Sequence, residues 1–597
     1  MPFYFDKFES RIPPLPVPYS AGRELLWQFL AVVMVGVGVW YIHWRWSESL
    51  NYNALWFAIP LAIAETLSVF GMFLFVINLW KVKDYPQQPP PALITECVND
   101  PGLSPRPIMV DVFFPTYNED EELVRLSIRD AKKMIYPHPI VINIHVLDDG
   151  KREKMQHVAK EEGVNYITRS NNIGFKAGNM RNAMEVTSGD FIVICDADTR
   201  PFPTMLIHTM GYFRDPDVAW VQTPQWFFDL PEGQYLTTVL NKYLGLPGRW
   251  VGQGLERVFG PIVLDRDPFN NDPSMFYDVI QRRRNWANAS FCCGAGSIHR
   301  REAIMQVALK EYAAAVEHMV DQVTDEIEDP EIRSDLAVSM TRELALETEF
   351  TPYKFHVSED IYTSIELHSD RDRTWKSVYH PGVECKMLSP QDMLTWITQR
   401  FKYAGGTLDI ALHDNPLFRP GLRFPQKLMY ASTIWSYLGS IWNVMFLFAP
   451  PLYLFTGITP ISTYSEEFLK HIIPFLFCNE LAMTVGVWGI SSWRGQAFYL
   501  SFFPVNLRAL WIVLKKEKIK FVVTPKQRQQ GAFGRLVIWQ MLVIALTVLG
   551  LIYAGIMVWL GYRSDRNAWI VNMLWGINNI MAMYGMVRAA YWRPDDE

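Results

Sequence analysis

Phe191-Ile192-Val193-Ile194-Cys195-Asp196-Ala197-Asp198 is the stretch on which the fold turns. An apolar run rich in β-branched residues ends directly on two carboxylates, which reads as a buried strand rather than a helix. Two earlier stretches share this form. Residues 110–114 end at Pro115 and the polar Thr116-Tyr117-Asn118, and residues 140–147 end at Asp148-Asp149-Gly150. Helical patterns near 120–134, 151–162 and 176–187 separate the runs. Strands alternating with helices predict an open parallel sheet. Ligands of such sheets sit beyond the carboxyl ends of the strands, where all three polar clusters fall, so they read as one site.

Outward from this block the chain becomes apolar. Residues 25–42, 428–465, 536–562 and 568–587 contain no Asp, Glu, Lys or Arg. About 20 such residues cross a bilayer as a helix, which excludes a purely soluble protein. The 49% hydrophobic content beside 20% charged residues therefore reflects segregation. Six spans are predicted, near 24–43, 54–80, 430–457, 471–490, 536–561 and 568–588. The expected division is a first pair of spans in 1–82, a cytosolic domain in 83–385 and an amphipathic interfacial segment in 386–428. Two spans in 429–492, an interfacial loop in 493–535 and the last spans with a short tail in 536–597 complete it. Glu65 and Glu480 fall inside spans and read as helix-packing hydrogen bonders, with a water path as the alternative.

Arg494, Arg508, Lys515, Lys516, Lys518, Lys520, Lys526, Arg528 and Arg535 crowd the loop after the fourth span, against Glu517 alone. The loops on the other side hold only Arg45, Arg563 and Arg566. The positive-inside rule then places the loop, the polar block and both termini in the cytosol. A net charge of -6 offers no basic footprint for nucleic acid. The six cysteines show neither metal spacing nor a disulfide framework and are expected as reduced thiols. Aromatic residues make up 14% of the chain, with 22 Trp, suited to membrane belts and to stacking on sugars.

The clusters suggest chemistry. Alternate residues of an extended chain point the same way, so Asp196 and Asp198 could share one cation; magnesium typically takes one or two carboxylates plus substrate phosphates. A strand-end turn explains the triplet equally well. Lys176 opens a helix where it could meet a diphosphate, or simply be solvated. Ser358-Glu359-Asp360 precedes a helical stretch. It reads either as an N-cap with acids in the first turn or as the place of a general base. Gln399-Arg400-Phe401-Lys402-Tyr403 lies in an amphipathic segment beside the membrane return. Its cations and aromatic ring suit a diphosphate and a sugar, or a snorkelling interfacial helix.

Together, in this order, these residues resemble the processive family 2 glycosyltransferases, in particular the bacterial cellulose synthase catalytic subunit. The same resemblance takes in Thr223-Pro224-Gln225, Phe291-Cys292-Cys293-Gly294 and Phe521-Val522-Val523-Thr524-Pro525-Lys526. It implies an integral membrane α-helical bundle of about six transmembrane helices carrying a cytosolic α/β GT-A-type domain. It implies Asp360 as catalytic base. Thr116, Tyr117, Asp148, Asp149, Lys176, Asp196, Asp198, Gln399, Arg400 and Lys402 would hold the nucleotide donor. Gln225, Cys293, Gly294, Glu359 and Tyr403 would hold the acceptor, Phe521, Val523, Thr524 and Lys526 would form a gating loop, and Asp196 and Asp198 would bind Mg2+ or Mn2+. The implied partners are UDP-glucose, a growing β-glucan chain and membrane lipid, with room for accessory periplasmic or membrane subunits and none for nucleic acid. The implied location is a bacterial inner membrane, multi-pass, with the catalytic domain cytosolic.

The sequence also departs from the cellulose synthase pattern. Lys402-Tyr403 stands where that family has Arg-Trp, and Cys292 and Ala295 replace Phe and Ser beside the acceptor. Ser358 replaces Thr, and an acidic, helical-looking segment near 303–352, expected as a solvated insert, is longer. No PilZ-like domain follows the last span, so control by cyclic-di-GMP through such a domain is not expected on this chain. Because the changes cluster at the acceptor, a β-1,3 (curdlan-type) or mixed-linkage glucan is expected over cellulose. Competing readings are a UDP-N-acetylglucosamine polymerase, a transferase for a lipid-linked acceptor, and a nucleotide-binding transporter or receptor.

Overall fold

The computed structural model describes residues 3–592 except 260, 261, 265, 266, 326, 328, 463, 465, 489, 491, 518, 520–528, 530 and 532. The polar block is built on seven strands: β1 (Ile108–Thr116), β2 (Ile140–Asp148), β3 (Asn165–Ile167), β4 (Phe191–Ile194), β5 (Val218–Gln222), β6 (Ser297–Arg300) and β7 (Lys376–Tyr379). They lie in the order β7-β5-β6-β4-β1-β2-β3. Side chains alternate across the sheet as the period of two requires. Val110, Val112, Phe114 and Val193 enter one buried cluster, and Phe113, Ile192 and Ile194 enter the cluster on the opposite face. The helices Glu121–Ala131, Glu153–Glu161 and Phe175–Val186 stand where the periodicity predicts them.

The three strands read from the sequence, β1, β2 and β4, are parallel as expected, and the sheet also takes in one antiparallel strand. β6 runs antiparallel between β4 and β5, with Ser297 opposite both Ile194 and Gln222. Its first residue thus lies beside the carboxyl ends of its neighbours, so the preceding loop 291–296 is delivered to the ligand end of the sheet. β3, β5, β6 and β7 were not among the strands read from the sequence. β6 is the clearest case. Its Arg300 reads as a surface residue but is buried, donating to the carbonyls of Val218, Cys97 and Phe213.

The segment expected as a solvated insert divides in two. Helix Arg301–Thr324 seats Ala303, Ile304 and Val307 in the core, whereas Pro330–Glu347 buries no residue. Among the described residues six helical spans are long and apolar enough to cross a membrane: Ala21–Ser47, Tyr52–Leu79, Phe424–Thr456, Glu466–Val487, Phe533–Trp559 and Arg566–Tyr591. A bent pair, Trp493–Ser501 and Phe503–Leu514, turns by 48° between the fourth and fifth. Glu65 is paired with the fully buried Arg45 at 2.7 Å, as helix packing requires. Helix Met393–His413 packs its Ala404 and Leu408 on Ala509 and Val513.

Candidate active site

A cleft enclosing about 1860 Å³ of empty space lies at the carboxyl ends of the strands. Thr116, Tyr117, Asp149, Lys176, Asp196, Gln225, Cys293, Gly294, Glu359, Asp360, Gln399, Lys402 and Tyr403 all line it. Residues spread over nearly 300 positions of sequence therefore face one space.

Asp360 stands in the first turn of helix Glu359–His368. Ser358 makes no side-chain cap there, so capping does not account for the motif. Asp360 Oδ1 instead accepts the Ile361 N–H at 2.8 Å. Ser364 Oγ donates to the Asp360 carbonyl at 2.8 Å and accepts the Cys292 N–H at 2.9 Å, fastening the 291–296 loop to this helix. Burial raises the pKa of Asp360, opposed by the Ile361 N–H and by Lys176. Burial, then the Asp360 charge, pushes Glu359 up to about 7.

The loop 291–296 is held from below by two glutamines. Gln222 Oε1 accepts the Cys293 N–H at 2.8 Å, and Gln225 Nε2 donates to the Cys293 and Ala295 carbonyls at 3.0 and 3.2 Å. Gln225 thus shapes the 291–296 loop, and Gln222, missed by sequence reasoning, does so equally. Gly294 has φ +77°, and a Cβ there would sit 3.5 Å from Lys176 Nζ and 3.9 Å from Asp360 Oδ2. Glycine both permits this left-handed backbone and leaves room beside the two charged groups.

Lys176 begins helix Phe175–Val186, and its Nζ lies 2.6 Å from Asp196 Oδ1. Burial opposes its charge, but Asp196, Glu359 and Asp360 outweigh burial and hold the ammonium above its ordinary range. The expectation that Asp196 and Asp198 project together is corrected. The triplet forms a turn, with the Thr199 N–H donating to the Asp196 carbonyl at 2.9 Å, so the alternation of an extended strand is lost. Asp196 faces the cleft; Asp198 is 1% exposed and accepts the Leu388 N–H at 3.1 Å.

The neighbouring acid pair also separates. Asp149 lines the cleft, held by two 2.7 Å contacts from Arg169. Arg169 also donates to the Phe175 carbonyl at 2.9 Å, coupling Asp149 to the start of the Lys176 helix. Asp148, expected at the uridine, is fully buried beneath it, accepting from the Gly150 and Arg152 N–H groups and from the Tyr166 hydroxyl. Arg169 was missed because nothing in its local sequence marks it; only the tertiary fold brings it to Asp149. On helix Met393–His413, Gln399, Lys402 and Tyr403 share the cleft-facing side, as i, i+3 and i+4 residues do. Arg400 turns out of the cleft lining, its guanidinium 5.9 Å from the Tyr403 ring centroid. Phe521, Val523, Thr524 and Lys526 lie outside the described residues.

The fold is thus an α/β domain, with carboxylates at the strand ends of its sheet, joined to six helices apolar enough to cross a membrane. Residues 111–307 match the model of Glycosyl transferase family 2, and residues 272–488 match that of Glycosyl transferase family group 2. The chain is thus similar to family 2 glycosyltransferases over these residues, and it resembles cellulose synthase catalytic subunits. It is 27% identical to the UDP-forming cellulose synthase catalytic subunit of Pseudomonas fluorescens, over 76% of this chain and 51% of that protein. It is 26% identical to the cellulose synthase 1 catalytic subunit of Komagataeibacter xylinus, over 94% of this chain and 66% of that protein. The chain therefore spans about half to two thirds of the length of these relatives. Among solved structures, the mannosyltransferase PcManGT from Pyrobaculum calidifontis, in complex with GDP-Man and Mn2+, aligns at 13% identity and a TM-score of 0.45. That alignment covers 76% of this chain and 99% of that one.

Proposed function

We propose that the protein is a processive, inverting β-glycosyltransferase that polymerises glucose from UDP-glucose and passes the β-glucan across the membrane. The observation that carries this reading is the single cleft in which Asp360, Lys176 and Asp196 meet Tyr403 of the interfacial helix. Asp360 removes the proton from the acceptor hydroxyl as that oxygen attacks the anomeric carbon. The bond from that carbon to the diphosphate breaks on the opposite face, so an α-linked donor becomes a β-linked product. Burial raises the pKa of Asp360, and a base shifted toward the working pH is better matched to its task. Lys176 and Lys402 face the departing diphosphate, an electrostatic contribution of the kind that usually dominates such catalysis. Tyr403 offers its ring to the acceptor sugar.

Asp196 presents a carboxylate oxygen to the cleft, a hard donor that suits magnesium or manganese. Such an ion would neutralise charge on the diphosphate, with Asp198 supporting the turn from beneath. The cation-rich 491–535 loop supports a cytosolic catalytic domain and cytosolic termini in a bacterial inner membrane. Gating by residues 521–526 rests on the motif alone.

For the linkage we keep a β-1,3 or mixed-linkage glucan, on the strength of Tyr403 and Cys292 at the acceptor side and of Lys402 beside them at the diphosphate. The second reading is cellulose, favoured by the names of the relatives. The deciding experiment supplies the protein in lipid nanodiscs with UDP-glucose and Mg2+ or Mn2+, then digests the product with linkage-specific glucanases. No polymer from any UDP-sugar would refute the reading, and a product cut only by β-1,4-glucanase would assign cellulose.

A further inference from the structure

Away from the cleft, the structure brings together two histidines and a glutamate. His208 lies in the short helix Met205–Thr209, just after the Asp196–Asp198 turn. His380 and Glu384 lie in the connection from β7 to the strand Cys385–Met387. One ligand atom from each of the three lies within 4.8 Å of the others. We propose that these residues form a divalent transition-metal site, of the kind that takes zinc, which braces the floor of the cleft.

Both imidazoles converge on the same carboxylate oxygen. His208 Nδ1 is 2.5 Å from Glu384 Oε1, and His380 Nε2 is 3.8 Å from that oxygen. The second distance is too long for a hydrogen bond. It is close to the roughly 3.3 Å that separates neighbouring ligands of a tetrahedral ion with ~2.0–2.1 Å bonds. The other oxygen, Glu384 Oε2, already accepts from Thr204 Oγ1 at 2.8 Å, which orients the carboxylate. His380 Nδ1 lies 3.1 Å from the Tyr212 hydroxyl, and in the metal-bound form donation from Nδ1–H to that oxygen would leave Nε2 open toward Glu384. Gly382 keeps that nitrogen accessible, since a Cβ there would stand 2.6 Å from it.

Burial favours an ion further. The side chains of Glu384 and His380 are 4% and 10% exposed, whereas His208 is 38% exposed and leaves an entry path and room for a water ligand. Two imidazoles and one carboxylate suit zinc, cobalt or nickel better than magnesium, so the site is chemically distinct from Asp196. Its placement gives it a task. The strand Cys385–Met387 pairs with Arg200–Pro201, and the following Leu388 N–H holds Asp198. An ion at His208, His380 and Glu384 would tie the two segments that flank that contact.

The test uses the full chain in nanodiscs, stripped with EDTA and titrated with Co2+ as a spectroscopic probe. One equivalent of Co2+ with visible d–d absorption, displaced by Zn2+, is expected. His380→Gln and Glu384→Gln should abolish it, Asp196→Asn should keep it, and Tyr212→Phe should weaken it about 10–100-fold. Zn2+ should raise the melting temperature of the parent and not of His380→Gln. Should His380→Gln fail to fold, His208→Asn, at the exposed ligand, takes its place. Absence of Co2+ absorption in the parent, or equal uptake by the parent and the ligand variants, would overturn the proposal.

Discussion

Lys176 Nζ stands 2.6 Å from Asp196 Oδ1, across the gap between a helix start and the turn after β4. Gly294 lies beside both that ammonium and Asp360, since a Cβ there would stand 3.5 Å from Lys176 Nζ and 3.9 Å from Asp360 Oδ2. One cation therefore sits among three carboxylates, those of Asp196, Glu359 and Asp360, and sets the charge state of the cleft. Removing any member changes how the others ionise.

Asp360→Asn should lower polymer synthesis by about 10²–10⁴-fold, the usual worth of general-base catalysis. UDP binding, measured calorimetrically, should persist. Synthesis at the parent rate would refute Asp360 as the base.

The acid limb of the rate–pH profile should lie above that of an ordinary carboxylate. Burial raises Asp360, and burial with Asp360 pushes Glu359 up to about 7. A base must be ionised to accept a proton, so activity is lost as pH falls through this raised range. Lys176→Met removes a cation that lowers both values, and the limb should move to higher pH. A limb near pH 4 in the parent would contradict the assignment.

Gly294→Ala places a methyl group at φ +77° between Lys176 and Asp360. The left-handed backbone alone costs about 1–2 kcal/mol for a residue with a Cβ. The expected result is a modestly lower melting temperature with a disproportionate loss of turnover, read by UDP release.

Arg169→Lys keeps the charge but loses the planar two-point grip on Asp149. The KM for the nucleotide sugar should rise more than kcat falls. Arg169→Ala leaves the cleft-lining Asp149 without this partner and should raise KM further.

Tyr403→Ala should shorten the product, because an aromatic contact contributes ~0.5–1.5 kcal/mol per stacked pair. Tyr403→Phe should leave chain length unchanged. Size-exclusion analysis of the polymer distinguishes the two.

The sequence alone determined the coarse plan of this protein. Charge-free runs of membrane length and buried strands ending on acids are local signals, because each follows from neighbouring residues and one solvent. The order of the strands, the reversal of β6 and the clamping of loop 291–296 by Gln222 and Gln225 were decided only in three dimensions. The separation within each acid pair was decided there too. Asp148 and Asp149 are adjacent in sequence, yet one is sealed under Arg152 and Tyr166 while the other meets Arg169 in the cleft. Asp196 and Asp198 diverge because the strand ends in a turn. Local sequence names the groups that carry charge; packing against residues far away in the chain decides which of them meet the ligand and which hold it up.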